Sequence, residues 1–451
     1  MTKIPHLPPL LAALFLSTAA AQSQTLILPK NVPPPLSAPT KSLPLSEVFT
    51  RTAQTPNCVG NAFEMPGQAW HTDLTGGGVS LSAEGLDARP PSFEGLYGFA
   101  PSKLDNRRTD SELLVVDRFT PAPMPVLSGG GSETLNVSHG ALVEAHLRAL
   151  LESAGFALKR TQPLTYGRGA RTVTLTRLDL AEVYATKSLL SGSQTPSDAL
   201  ATALATRLSA ESKAIRPRDL VLNMSFALVP CQAMTVYRQT RDTWARATTP
   251  QRYNFNTFLT DVARASRMSA ADVQRELTRV PEDEPLRRVL RQYAEERRGR
   301  GASLIAVASS GNFGLNYPTA PGSFPDVISA GLHTWQGKEA RDGGGAIWPD
   351  AADVNVAGEW FQLSGDQLRR FCTDGGTCLT PDILTGPERY TTFAYRGTSF
   401  AAPTVSLFLA LQQSPANRCF GTGGTGYAPM SKGATREKRF DFAAAWAQCE
   451  G

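Results

Sequence analysis

Along most of its length the chain alternates short apolar runs with longer amphipathic stretches. ELLVVD at Glu112–Asp117 is compact and rich in β-branched residues, the pattern of a strand buried on both faces. VTLTRLDL at Val173–Leu180, LVLNMSF at Leu220–Phe226, SLIAVAS at Ser303–Ser309 and VISAG at Val327–Gly331 predict further strands. Helical periodicity runs from His139 to Ser153 and from Ser197 to Leu208, with a Gly-rich loop at Leu127–Ser132 before the first. Strands alternating with helices predict an α/β fold: a three-layer, doubly wound sheet of mostly parallel strands with helices on both faces.

Outside that pattern the texture changes. Residues 22–104 are rich in Pro, Gly and Ser, as in PPPLSAPTKSLPL and DARPPSF, and predict a leader with little regular structure, either a propeptide or a wrapping segment. Residues 105–451 form the expected domain, interrupted at about 229–300 by a long helical insertion. There Ser269 and Asp272 fit a capping box, and Pro281 and Pro285 separate two helical stretches. Residues 1–21 combine basic Lys3, an apolar core at Leu10–Leu16 and a small-residue cleavage site at Ala19–Ala21. This predicts a signal peptide and a secreted or periplasmic protein. No run reaches about 18 apolar residues, so no membrane span is expected.

Composition narrows the classes. Of 451 residues 41% are hydrophobic and 19% charged, which excludes global disorder. Forty-five basic residues against 40 acidic give +5, too balanced for a dedicated nucleic-acid binder. The excess is local: between Gln232 and Arg300 stand 14 Arg, no Lys and 9 acidic residues, read as a solvated helix face. In an oxidising compartment Cys58, Cys231, Cys372, Cys378, Cys419 and Cys449 allow up to three disulfides, with Cys372 and Cys378 the expected pair across TDGGT. No CxxC occurs, which disfavours zinc.

Reactive side chains recur where an apolar strand ends or a helix begins, the place where open α/β sheets bind ligands. Asp117 closes ELLVVD, His139 opens SHGALVEAHL, Ser399 stands before FAAPTVSLFLALQQ, and Asn312 follows SLIAVAS through Ser310 and Gly311. A serine hydroxyl becomes a nucleophile when an imidazole takes its proton, and a carboxylate fixes that imidazole. The developing oxyanion needs donors, here the Asn312 amide and a backbone N–H at the helix start. Each residue has a plainer reading alone: a serine as helix cap, an aspartate or asparagine as turn residue. His146, seven residues after His139 on nearly the same face, reads as structural. Gly421, Gly423 and Gly426 match a dinucleotide fingerprint without its strand or helix, and no HExxH occurs.

GTSFAAP at 397–403 resembles the active-site serine signature of the subtilisin-like serine proteases, or subtilases. SHG at 138–140, SSGNFG at 309–314, LNMSFAL at 222–228, DVNVAGEW at 353–360 and FDFAAAWAQ at 440–448 are similar to further segments of that family. The order Asp117, His139, Ser399 is the subtilisin order. The resemblance spans roughly 105–451 and implies a serine endopeptidase with Asp117 orienting, His139 as base, Ser399 as nucleophile and Asn312 as oxyanion donor. It further implies that Ser225, Phe226 and Ala227 flank the substrate on one side, with Ser309, Ser310 and Gly311 on the other. The partners would be protein or peptide substrates, the chain a monomer, and no cofactor would enter the chemistry. Structural calcium, common in the family, is not marked by any acidic loop. The sequence departs from the family at Arg118, Phe119, Ala141, Leu142 and Ala227, none of which removes a reacting group. Two rivals stay open: a catalytically silent peptide-binding module, and a sedolisin-like acid peptidase, against which the histidine motif speaks.

Overall fold

A computed structural model describes residues 63–64, 78–80, 82–104, 109–125, 134–185, 195–212, 218–230, 283–341, 347–373, 392–412 and 440–450, with isolated positions between 263 and 280. The expected signal peptide, the Gly-rich loop, most of the insertion and the Cys372–Cys378 pairing lie outside the described residues.

In chain order the elements are β1 (Gly78–Ser80), α1 (Phe93–Tyr97), β2 (Thr109–Asp117), α2 (His139–Ser153), β3 (Ala157–Thr161), β4 (Leu164–Arg168) and β5 (Arg171–Asp179). There follow α3 (Pro196–Ser212), β6 (Asp219–Met224), α4 (Pro285–Gly299), β7 (Leu304–Ser309), β8 (Val327–His333) and β9 (Val354–Ala357). The chain closes with β10 (Trp360–Ser364), β11 (Thr392–Arg396), α5 (Thr398–Gln412) and α6 (Phe442–Glu450). An eight-stranded sheet runs β9-β8-β7-β6-β2-β5-β4-β3. It is parallel from β9 to β5 and antiparallel only through β4 and β3.

The apolar runs bury both faces, because successive strand side chains point to opposite sides. Leu113, Val115, Val221, Ile305 and Val307 pack with α2, α5 and α6 in one core. Leu114, Val116, Leu222, Met224, Ala306 and Ala308 pack with α3 and α4 in the other. The three-layer, doubly wound α/β architecture is thus present. In α4, Leu286, Leu290, Tyr293 and Arg297 form the buried stripe, while Arg288, Arg291 and Arg298 face outward.

From β2 the chain passes to the sheet edge at β3, comes back through β4 to β5 beside β2, then crosses to β6 on the other side. The carboxyl ends of β2 and β6 therefore flank a topological switch point, where open α/β sheets form their crevice.

The stretch read as a leader is not uniformly irregular. β1 pairs antiparallel with β11, which pairs with β10, and the strand Ala88–Arg89 completes this smaller sheet. Val79, Phe93, Leu96, Tyr97, Phe99 and Leu104 are buried, and the Tyr97 hydroxyl donates to the Thr404 carbonyl at 2.8 Å. Its aromatic spacing gives α1 a buried face that the surrounding Pro and Gly hide in composition. Among the described residues, no helix is long and apolar enough to cross a membrane.

Candidate active site

Asp117 is the last residue of β2, at 2% exposure. Its carboxylate faces Nδ1 of His139 with both oxygens, at 2.8 and 2.9 Å, and Oδ1 also accepts the Arg118 N–H at 2.6 Å. Ser138 caps α2, accepting from the Ala141 N–H at 3.2 Å and donating to the Phe119 carbonyl at 2.8 Å. Gly140 donates to the Arg118 carbonyl at 2.9 Å. A Cβ at Gly140 would lie 3.0 Å from the Arg118 oxygen and 3.1 Å from Asp117 Cβ, so the helix approaches the strand end this closely only with glycine. Arg118 and Phe119, where the sequence departs from the family, thus serve this contact through their carbonyls, and the Phe119 ring lies 4.7 Å beneath the Arg177 guanidinium.

An ionised carboxylate only accepts hydrogen bonds, so neutral His139 carries its proton on Nδ1 and presents a lone pair at Nε2. Burial alone pushes the imidazolium downward, but the charge and hydrogen bond of Asp117 outweigh it, and the His139 pKa is raised above 6.5.

Ser399 lies in the first turn of α5, at 9% exposure. β11 ends at Arg396, whose guanidinium lies 5.0 Å from the Trp348 ring and 4.9 Å from that of Trp360 and bonds Glu359 at 3.1 Å. After Gly397 the Thr398 N–H and hydroxyl both donate to Asn312 Oδ1 at 2.9 Å. A backbone N–H can only donate, so Asn312 turns its oxygen to Thr398 and keeps its amide nitrogen for another acceptor. The Thr398 hydroxyl also accepts from the Gly311 N–H at 3.2 Å.

Pro403 lies inside α5, five residues beyond its first residue, Thr398. Lacking an N–H, it leaves the Ser399 carbonyl without its helical donor. Ser225 supplies the replacement: its hydroxyl donates to the Ser399 carbonyl at 2.8 Å and accepts from Asn223 Nδ2 at 2.9 Å. The side chain of Ser225 is therefore spent on holding Ser399, and only its backbone is left for a substrate. Phe400, next to Ser399, has its ring 5.8 Å from that of His139.

The remaining expected substrate-flanking residues meet behind these groups. The Ser309 hydroxyl donates to the Phe226 carbonyl at 3.1 Å, joining the segments that follow β6 and end β7. Ser310 is fully buried; its N–H reaches the Ala330 carbonyl at 2.8 Å and its hydroxyl the Asp350 carbonyl at 3.1 Å. Gly311 has φ of 109°, and a Cβ there would meet Thr319 Oγ1 at 2.5 Å. Ala227 is part-exposed beside Leu228, whose N–H donates to the Ala320 carbonyl at 2.6 Å.

Three further residues support the site. Thr398 ties Asn312 to the serine helix, Thr319 holds the Ser310 carbonyl at 2.7 Å through its N–H, and Asp350 Oδ1 accepts the N–H groups of Phe313 and Leu315 at 2.9 and 2.8 Å. The GTS spacing pointed to the first; nothing local marks the other two. Among the described residues, no group of three or more His, Cys, Asp or Glu side chains is arranged to hold a metal ion.

No family model and no curated protein matches the chain. Among solved structures it is similar to the prenylagaramide maturation protease PagA, at 16% identity over 70% of this chain and 80% of that one, with a TM-score of 0.34. The self-cleaved protease domain of PatA aligns at 13% identity over 77% and 99%, with a TM-score of 0.36. MycP1 from Mycobacterium smegmatis aligns at 15% identity over 87% and 92%, with a TM-score of 0.34. Likenesses this distant leave the site's own atoms to say what it can do.

Proposed function

We propose that the chain is an exported, subtilisin-like serine endopeptidase acting through an acyl-enzyme. The Asp117 carboxylate on Nδ1 of His139 carries this reading, with Ser399 and Asn312 joined to the same cluster through Thr398 and Phe400. Ser399 Oγ gives its proton to His139 Nε2 as it attacks the peptide carbonyl carbon. The carbonyl oxygen becomes an oxyanion, met by the Asn312 amide and the Ser399 N–H, which as a first-turn group has no helical acceptor of its own. Collapse breaks the C–N bond, and the departing amine takes the proton from His139. Water, deprotonated by the same imidazole, then attacks the ester and frees Ser399. The Asp117 carboxylate holds the tautomer and stabilises the imidazolium.

The test is covalent labelling of the folded full chain with an aryl phosphonate or sulfonyl fluoride. An adduct should form on Ser399 and be absent in Ser399→Ala. Its rate should rise with pH through a midpoint above 6.5, because His139 must be neutral to act as base and Asp117 raises its pKa. Folded wild-type protein that takes no label would overturn the reading and leave a silent peptide-binding module.

A further inference from the structure

We propose that His146 is a positioning residue for this reaction, locking the helix that carries His139 to the helix that carries Ser399. The inference rests on the serine-peptidase reading above.

His146 lies seven residues beyond His139, two turns along α2, and is fully buried. Its Nε2 stands 2.9 Å from the Thr404 hydroxyl on α5, and its Nδ1 stands 3.1 Å from the Tyr395 hydroxyl on β11. Thr404 has one hydroxyl hydrogen and donates it to the Phe400 carbonyl at 2.9 Å, so toward His146 it can only accept. The proton of His146 is therefore on Nε2, and Nδ1 accepts from Tyr395. Every group in the joint is used once, which holds only for the neutral imidazole in this tautomer. Burial enforces that state, lowering its pKa to about 3.

The joint grips both sides of the nucleophile. Tyr395 precedes Ser399 by four residues and Thr404 follows it by five. Between them, the Phe400 ring lies 5.8 Å from the His139 ring, 5.9 Å from that of His146 and 4.4 Å from that of Tyr395. The Phe361 ring meets His146 edge-on at 4.7 Å, closing the remaining side. A shift of His146 moves Phe400 against the His139 imidazole and slides α2 along α5. Base and nucleophile then no longer share one frame. A buried histidine that only packs would affect stability and leave turnover per folded molecule alone.

The experiment compares full-length wild type with His146→Phe, which keeps an aromatic ring and removes both hydrogen bonds, and with His146→Gln, whose amide N–H can still reach Thr404. Two readouts are taken: kcat and KM on a peptide substrate, and the downfield proton resonance of the His139 Nδ1–H held by Asp117. His146→Phe should lose kcat on the order of ten- to a hundredfold with KM unchanged, the scale of a small misplacement of reacting groups. Its His139 resonance should move, and His146→Gln should recover part of both. A folded His146→Phe with wild-type kcat and an unmoved resonance would overturn the proposal. If that variant does not fold, Tyr395→Phe and Thr404→Val, each lacking one hydroxyl, decide by the same readouts. If wild type neither turns over substrate nor takes label at Ser399, the peptidase reading fails instead; whenever turnover is missing the resonance decides alone, a shift supporting the joint and constancy overturning it.

Discussion

Asn312 shows how far chemistry fixes a side chain once its partners are known. Two donors from Thr398 claim its oxygen, so the amide nitrogen is the half left for an acceptor, the oxyanion of the proposed reaction. Asn312→Ala should lower kcat on the order of 10²–10³ with little change in KM, and a loss below about tenfold in steady-state kinetics on a peptide substrate would exclude this role. Asp117, His139, Asn312 and Ser399 were legible as candidates because each stands at or just beyond a strand end, or at a helix start, inside a short, distinctive run. Thr319 and Asp350 were not. Asp350 reaches back 37 residues to the Phe313 N–H, and no local pattern encodes a contact at that separation. Ser225 was legible as a position but not in its use, since its side chain answers to a carbonyl left over by Pro403.

At the level of elements, the buried parallel strands announced themselves through continuous apolar runs, and their ends moved by only a few residues. The hairpin of β3 and β4 did not. ALKRT at β3 is exposed at every position, so it carries no alternation to read, and it becomes a strand only through its pairing with β4. α5 presents the opposite problem: all fifteen residues are buried, which erases the helical stripe and leaves only its motif to mark it. Within the apolar core that α5 shares with α2, the polar joint at His146 carries a pH signature. His146 is held neutral with a pKa of about 3, whereas in the unfolded chain it titrates near 6.5. The unfolded state alone takes up this proton between those values, so the contribution to stability is intact above pH 6.5 and is lost as pH falls toward 3. At pH 5 the loss amounts to about 2 kcal/mol. Urea unfolding at neutral pH and at pH 5 should show a pH dependence flatter by about that amount in His146→Phe than in wild type. Equal pH dependence in the two would remove His146 from the account of acid sensitivity.

For the molecule as a whole, the decisive feature is that the elements carrying the candidate site are braced by a segment far upstream in the chain. The switch point between β2 and β6 brings Asp117 and Ser225 together, but β11, which delivers Ser399, is itself paired with β1 far upstream. The Tyr97 hydroxyl then donates to the Thr404 carbonyl on the serine helix, and the Phe93 N–H donates to the Ser153 hydroxyl oxygen at the end of the histidine helix, at 2.8 Å in each case. The segment from 78 to 104 therefore belongs to the folded body that carries the candidate site, although its composition reads as a leader. Burying Val79, Phe93, Leu96, Tyr97, Phe99 and Leu104 stabilises the fold by about 1.5–3 kcal/mol each. If the leader is processed, cleavage should fall upstream of Gly78, because a cut after Leu104 would release six core side chains and the partner strand of β11. N-terminal sequencing of protein that labels at Ser399 should give a first residue before Gly78, and a chain begun at residue 105 should fail to unfold cooperatively. A labelled protein starting beyond Leu104 would show that the serine helix holds its place without that segment, and would return it to the status of a removable propeptide.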